Sequence, residues 1–158
     1  MPGYNSTTTL SFAAGADYQT PVSPTTSPMS AGQYRFCVIN ASEVTDYVSP
    51  DVPGYWYGSS GNPPPIPAGN VLVNTSAGAD CIGVISGKAL PGQPIAVDVA
   101  GQTQVVLGGT VTVGDSLSSD ATGAAITHTS TNHILGQALA SGVAGDIIGM
   151  LFQPRGEA

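Results

Sequence analysis

Charged side chains are scarce in this sequence, and basic ones are scarcer still. Only 8% of the 158 residues are charged, with ten acidic residues against three basic ones, Arg35, Lys88 and Arg155, for a net charge of −7. Proteins that bind nucleic acid need clustered Lys and Arg to neutralise phosphates, and an anionic membrane surface attracts the same residues. We therefore expect neither nucleic acid nor a membrane among the partners.

Long apolar runs and export signals are also missing. No run approaches the roughly 18 apolar residues that cross a bilayer as a helix. The N-terminal sequence MPGYNSTTTL has neither the basic region nor the apolar segment of a secretory signal peptide. We therefore predict neither a transmembrane helix nor an export signal.

Residues with catalytic or metal-binding chemistry are few. The two histidines, His128 and His133, lie in the stretch THTSTNH with no third ligand nearby, whereas zinc takes three or four protein ligands. Asp115, Asp120 and Asp146 each lie in a Gly-containing turn, and capping of the turn explains them. No G-x-S-x-G elbow, phosphate-binding loop, dinucleotide-binding glycine motif or C-x-x-C pair occurs. We predict no catalytic, cofactor-binding or metal site, and we expect that the protein is not an enzyme.

The single lysine and the two cysteines have equally plain interpretations. Lys88 precedes Ala89, as in lipoyl- and biotinyl-carrier domains, but the Asp or Met that precedes the lysine in such carriers is absent. We therefore expect an exposed turn lysine. Cys37 and Cys81 lie in apolar, strand-like runs and are too few for a disulfide framework. We expect them to be small buried side chains, while a bridge between them stays open.

What the sequence does contain is a series of short runs of Val, Ile, Leu and Thr between residues 81 and 152. Ile95, Val97 and Val99 alternate with other residues, as do Val111 and Val113, and this period of two predicts strands with one buried face. Gly, Asn, Asp or Ser ends each run. The stretch 133–140, HILGQALA, contains a glycine and lies between turn signals, so it is also predicted as a strand. Together these features predict an all-β protein, a small antiparallel β-barrel or sandwich.

Composition divides the chain into four segments. Residues 1–32, rich in Ser, Thr, Ala and Pro, are predicted as an extended arm that either is disordered or becomes ordered against a partner. Residues 33–70 contain six of the ten aromatic residues, a predicted strand, and a loop with six of the 13 prolines. Residues 71–153 are the predicted compact β core, built largely from aliphatic side chains, and residues 154–158 are a short polar tail.

Several pieces of the second half occur in an order that resembles a known family. They are IGVI at 82–85 with PGQPIAV at 91–97, VTVGDSL at 111–117 with SDATG at 119–123, ILGQAL at 134–139, and GDII at 145–148. In this order they resemble the tailed-phage capsid cement, or head decoration, proteins over about residues 81–152. The long first half of this chain departs from that family pattern.

The resemblance implies a non-enzymatic, β-barrel-like protein that is made in the host cytoplasm and binds the outer surface of an expanded icosahedral head. Such proteins are often trimers and bridge neighbouring capsid subunits against the pressure of the packaged DNA. The partners implied are therefore the major capsid protein and further copies of this chain, with no cofactor.

Large apolar and aromatic side chains of the first half are the candidate partner contacts. In the arm they would anchor an extended strand on the sheet edge of a neighbouring capsid subunit. The aromatic cluster in the loop is a candidate interface hot spot, although a small core beneath the Pro-rich loop explains it equally well. An alternative function is a receptor- or glycan-binding module of a virion fibre, in which this cluster would stack on sugar rings. The predicted contact residues are Tyr4, Leu10, Phe12, Tyr18, Tyr55, Trp56 and Tyr57.

Overall fold

The structure, a computed structural model, describes residues 8–13, 32–41, 69–88 and 94–157. Within these residues it contains strands and turns and no helix, which confirms the all-β prediction. The strands are β1 (Thr8–Ala13), β2 (Phe36–Asn40), β3 (Asn70–Val73), β4 (Gly83–Ile85), β5 (Pro94–Val106), β6 (Ser116–Ser119), β7 (Ala125–Thr127), β8 (His133–Ala138) and β9 (Ile147–Glu157).

These strands form one antiparallel sheet that curls into a half-barrel. The order is β3-β2-β4-β5-β9-β8-β6-β7, with β1 paired to β5 outside this path. A bridge between Leu107 and Ala125 brings the segment after β5 against β7, at the far edge of the sheet. The sequence did not distinguish a barrel from a sandwich. The arrangement is barrel-like, because a single sheet curls and no second sheet packs against it within the described residues.

The long strand β5 joins the two halves of the sheet. Residues 94–100 pair with β1, and two residues within that stretch also pair with β4. Residues 101–106 pair with β9. The change of partners falls at Gly101, whose φ of 93° lies in the left-handed region that favours glycine.

Two hydrophobic clusters form the core, and β2 and β4 separate them. Phe36 and Val84 belong to the larger cluster, whereas their chain neighbours Cys37 and Ile85 belong to the smaller one. Successive side chains of a strand point to opposite faces, so both faces of β2 and β4 are covered. The rings of Phe36 and Phe152 lie 6.3 Å apart between centroids, a contact that ties β2 to β9.

The strand predictions are confirmed in some places and wrong in others. Ile95 and Val97 face the core as expected, and the stretch from residue 133 forms strand β8 as predicted. The alternation around Val111 was wrong as a strand prediction, because only an isolated bridge forms there and a tight turn follows at once. At the C-terminus, β9 extends to Glu157 through residues predicted as a polar tail, because β8 pairs with them.

Candidate functional site

Catalysis or metal binding would depend on the polar side chains. Among the residues that the structure describes, no group of three or more His, Cys, Asp or Glu side chains is placed to hold a metal ion. Nor does this part of the chain contain a helix long and apolar enough to cross a membrane. Its buried polar groups instead make defined hydrogen bonds within the protein.

One of these contacts joins a serine to a histidine. Ser118 is fully buried, and its Oγ lies 3.0 Å from Nδ1 of His128. The same hydroxyl donates to the carbonyl oxygen of His133 at 2.9 Å. The two contacts hold the β7–β8 connection in place.

A second polar cluster surrounds Asp98 on β5. Its neighbour Val97 faces the core, so strand alternation predicts an outward position for Asp98, yet its side chain is only 7% exposed. Its Oδ1 accepts hydrogen bonds from the hydroxyls of Thr9 at 2.6 Å and Ser86 at 3.0 Å. Its Oδ2 accepts one from the hydroxyl of Thr103 at 2.6 Å. The carboxyl group thus links β1 and the end of β4 to β5. Sequence reasoning missed this cluster, because its members are far apart along the chain.

Two turns with the same capping hydrogen bond lie at one end of the half-barrel. Asp115 Oδ2 accepts the backbone N–H of Thr112 at 2.9 Å, and Asp146 Oδ2 accepts that of Val143 at 2.9 Å. In each turn the glycine before the aspartate has a φ of 91°. These contacts confirm that both carboxylates cap turns.

A third aspartate caps the turn that follows β6. Asp120 Oδ1 accepts the backbone N–H groups of Thr122 at 2.7 Å and Ala124 at 2.9 Å. Arg35 then donates to the carbonyl oxygen of Thr122 at 2.7 Å, so the turn is also tied to the residue before β2. The structural role predicted for Asp120 is confirmed.

Both cysteine side chains are buried, as the sequence predicted, and no disulfide joins Cys37 to Cys81. Cys37 lies in the smaller hydrophobic cluster and Cys81 in the larger one. Burial raises the pKa of the Cys81 thiol to about 12, with a further rise from Asp80 and a partial offset from a hydrogen bond with Ser119. A thiol with such a pKa carries almost no reactive thiolate at neutral pH.

The predicted contact residues are only partly within the described structure. Phe12, on β1, packs against the smaller hydrophobic cluster, whereas Leu10 on the same strand is 46% exposed. In this structure β1 pairs with β5 of its own chain. The contact role of all seven residues stays a prediction. Five of them lie outside the described residues: Tyr4, Tyr18, Tyr55, Trp56 and Tyr57.

An exposed apolar surface lies at the end of the half-barrel that carries the two identical turns. Strands β5 and β8 end here, and β6 and β9 begin here. The surface consists of Val113 (58% exposed), Leu139 (44%), Val143 (55%) and Ile147 (52%), and we call it the turn-end surface. These are four of the six large hydrophobic side chains that are exposed within the described ranges. Sequence reasoning missed the surface, because these residues look like ordinary strand interior.

Hydrogen bonds hold the turn-end surface together. Val113 N–H donates to Ser141 Oγ at 2.8 Å, which joins the first turn to the loop before the second. Leu139 N–H donates to the carbonyl oxygen of Gly149 at 3.0 Å. Gly149 is two residues after Ile147 on β9, so the two residues share a strand face. The apolar side chains therefore stand on a backbone that is already ordered.

The fold and this surface define a class of protein, an antiparallel β protein with an ordered apolar surface at one end. Comparison with known families identifies the family, because residues 63–150, more than half of the chain, match the phage cement protein family. The chain belongs to that family, and it is a structural protein of a phage virion, as the sequence resemblance indicated.

Comparison with solved structures supports the fold. The head fiber gp8.5 N base of bacteriophage phi29 is similar to this chain with a TM-score of 0.52, over 96% of this chain and 98% of that one. The two sequences are 17% identical, so the likeness concerns the fold. Comparison with curated proteins gives no match.

Proposed function

We propose that this protein is a non-enzymatic cement protein that binds the outer surface of an icosahedral phage head and bridges neighbouring major capsid subunits. The observation that carries the proposal is membership of the phage cement protein family, through a match that includes the whole turn-end surface. The protein would be made in the host cytoplasm and added to the head as a homotrimer.

The physical character of the molecule fits this role. A protein that clamps a shell needs a rigid body and an apolar contact surface, and needs no titratable group in a pocket. Here the carboxylates of Asp98, Asp115, Asp120 and Asp146 are used in hydrogen bonds that order strands and turns. Apolar side chains stand exposed on the ordered backbone, which limits the entropy lost on binding.

Co-sedimentation with expanded heads that lack the protein tests the proposal. The purified full-length chain is titrated to saturation, and heads that already carry the protein serve as the control. We expect saturable binding at a fixed ratio to the major capsid protein, with a ratio that identifies the symmetry site. A folded protein that does not bind these heads contradicts the proposal.

A receptor- or glycan-binding module of a virion fibre is the second candidate. The likeness of fold to a head fiber base favours it, although at this identity the likeness concerns the fold alone. A glycan array separates the two functions, because a fibre module would bind a defined sugar class and lose that binding when Trp56 is replaced by Ala. A cement protein would bind heads and no sugar.

A further inference from the structure

The two turns at the end of the half-barrel are equivalent in backbone. Gly114 N–H donates to the carbonyl oxygen of Ala138 at 2.8 Å, and Gly145 N–H donates in the same way to that of Leu107 at 2.8 Å. Between the turns, Val111 and Gly142 exchange both backbone hydrogen bonds at 3.0 Å. A local two-fold relation therefore maps each turn onto the other.

This relation extends into the strands that follow the turns. Val106 of β5 pairs with Ile147 of β9, and Gln137 of β8 pairs with Ser116 of β6. In both cases the residue directly after the capping aspartate pairs with the C-terminal end of the strand that precedes the other turn. Ile147 and Ser116 thus occupy equivalent positions, as do Val143 and Thr112 at the start of the two turns.

The side chains at these equivalent positions differ in polarity. The first turn has Thr112 and Ser116, whereas the second has Val143 and Ile147, which are 55% and 52% exposed. The same backbone therefore forms with hydroxyl side chains, so the turn does not require apolar ones. Exposed apolar side chains that the local fold does not need are typical of a surface that becomes covered by a partner.

Charge separates the possible partners. Residues 89–154 contain no Lys or Arg, and among the residues that the structure describes the charged groups at this end are Asp115 and Asp146. A second copy has only three basic residues to place against them. Of these, Arg35 already donates to Thr122 and Arg155 to Gln153, which leaves the exposed Lys88 for the two carboxylates. Charge complementarity at this end therefore favours a different protein with its own basic residues.

We propose that the turn-end surface, centred on Val143 and Ile147, is where this protein docks on the capsid, against an apolar patch flanked by Lys or Arg on the capsid protein. This inference rests on the proposed cement function and adds to it the contact surface and the chemistry of the partner. Thr112 and Ser116 of the first turn lie beside the contact and contribute less to it, whereas Val113 of that turn belongs to the surface.

The test replaces the apolar residues with those of the equivalent turn, as the double variant Val143→Thr/Ile147→Ser in the full-length protein. The matched control is Ile39→Thr, because Ile39 is 49% exposed but lies on β2, in the other half of the sheet. Circular dichroism and thermal melting report folding, and light scattering reports the oligomeric state. Co-sedimentation with expanded heads reports affinity.

We expect the double variant to fold and to bind heads at least about tenfold more weakly, and the control to bind normally. If the wild type binds and the double variant binds equally well, the docking surface is wrong while the cement function stands. If the wild type does not bind, the cement function itself fails, and this inference fails with it. If the variant changes oligomeric state but binds heads normally once assembled, the surface is a contact between copies and our assignment of the partner is wrong.

A second pair of variants keeps the test valid if the double variant does not fold. Ala144 is exposed at the centre of the second turn, and its equivalent in the first turn is Val113, so a larger side chain fits there. Against a basic partner, Ala144→Lys should weaken binding more than Ala144→Glu does, and added salt should reduce the difference. Equal binding of the two variants contradicts a basic capsid surface at this place.

Discussion

Asp98 allows a direct test of how β1 and the end of β4 are held on β5. Its carboxyl group accepts hydrogen bonds from Thr9, Ser86 and Thr103, and the hydroxyl of Thr103 is buried with it. We expect Asp98→Ala to destabilise the fold strongly, because the replacement removes the common acceptor of all three hydroxyl groups. Asp98→Asn should cost less, because the amide keeps one oxygen acceptor.

The magnitude follows from the surroundings of each hydroxyl group. Thr9 is exposed and Ser86 half-buried, so both hydroxyls turn to water and each lost bond costs about 0.5–1.5 kcal/mol. Thr103 is only 6% exposed, and its unsatisfied hydroxyl costs about 1–3 kcal/mol. Asp98→Ala should therefore lower the free energy of unfolding by about 2–6 kcal/mol, and Asp98→Asn by about 1–2 kcal/mol.

Urea unfolding of the full-length variants, followed by circular dichroism, measures these differences. The double variant Asp98→Ala/Thr103→Val separates the contributions, because valine has no hydroxyl to leave unsatisfied. We expect the double variant to lose about 1–2 kcal/mol less free energy of unfolding than the losses of the two single variants added together. A loss of less than about 1 kcal/mol for Asp98→Ala, or strictly additive effects, would refute the reasoning.

Two further predictions concern a buried thiol and a crowded glycine. The pKa of Cys81 is raised from 9.0 to about 12, so the unfolded chain loses this proton first and stability should fall as pH rises through that window. The free energy of unfolding, measured by urea titration, should fall by up to about 1.4 kcal/mol per pH unit in the wild type. Cys81→Ala should lack this fall. An equal fall in the variant would assign the effect to other groups. Gly136→Ala should lower the free energy of unfolding by about 2–3 kcal/mol, because its Cβ would overlap the carbonyl oxygen of Leu151 and lie 2.6 Å from Cε of Met150. Gly149→Ala is the matched control in thermal melting, because its nearest neighbour would be 3.8 Å away, and equal losses would contradict the packing argument.

Features of the fold that depend on neighbouring residues were predictable from the sequence. The alternation of Ile95 and Val97 indicated a strand with one buried face, and turn chemistry indicated the capping roles of Asp115 and Asp146. Both follow from the preferences of a few consecutive residues, and the structure confirms both. The same local reasoning failed around Val111, because a bridge to Gly142 replaces the strand that the alternation predicted.

The candidate docking surface depends on contacts that are distant in sequence. Val143 and Ile147 resemble core residues when read along the chain, and only the pairing of β9 with β5 and β8 leaves them at an open end. Asp98 shows the opposite case, since an acidic residue at an outward position of β5 becomes buried when Thr9 of β1 lies against it. Exposure is a property of the assembled sheet, so strand alternation alone does not predict it.

The sequence by itself therefore determined the class of fold, the turn chemistry and the likeness to phage cement proteins. Each of these follows from short sequence patterns: apolar residues at every second position, glycine–aspartate turns and an ordered set of motifs. The tertiary structure alone decided which apolar residues remain exposed and which polar groups become buried, because both depend on strand register and on the curl of the sheet. The proposed docking surface also depends on the tertiary structure, because it lies where two turns of equivalent backbone expose different side chains.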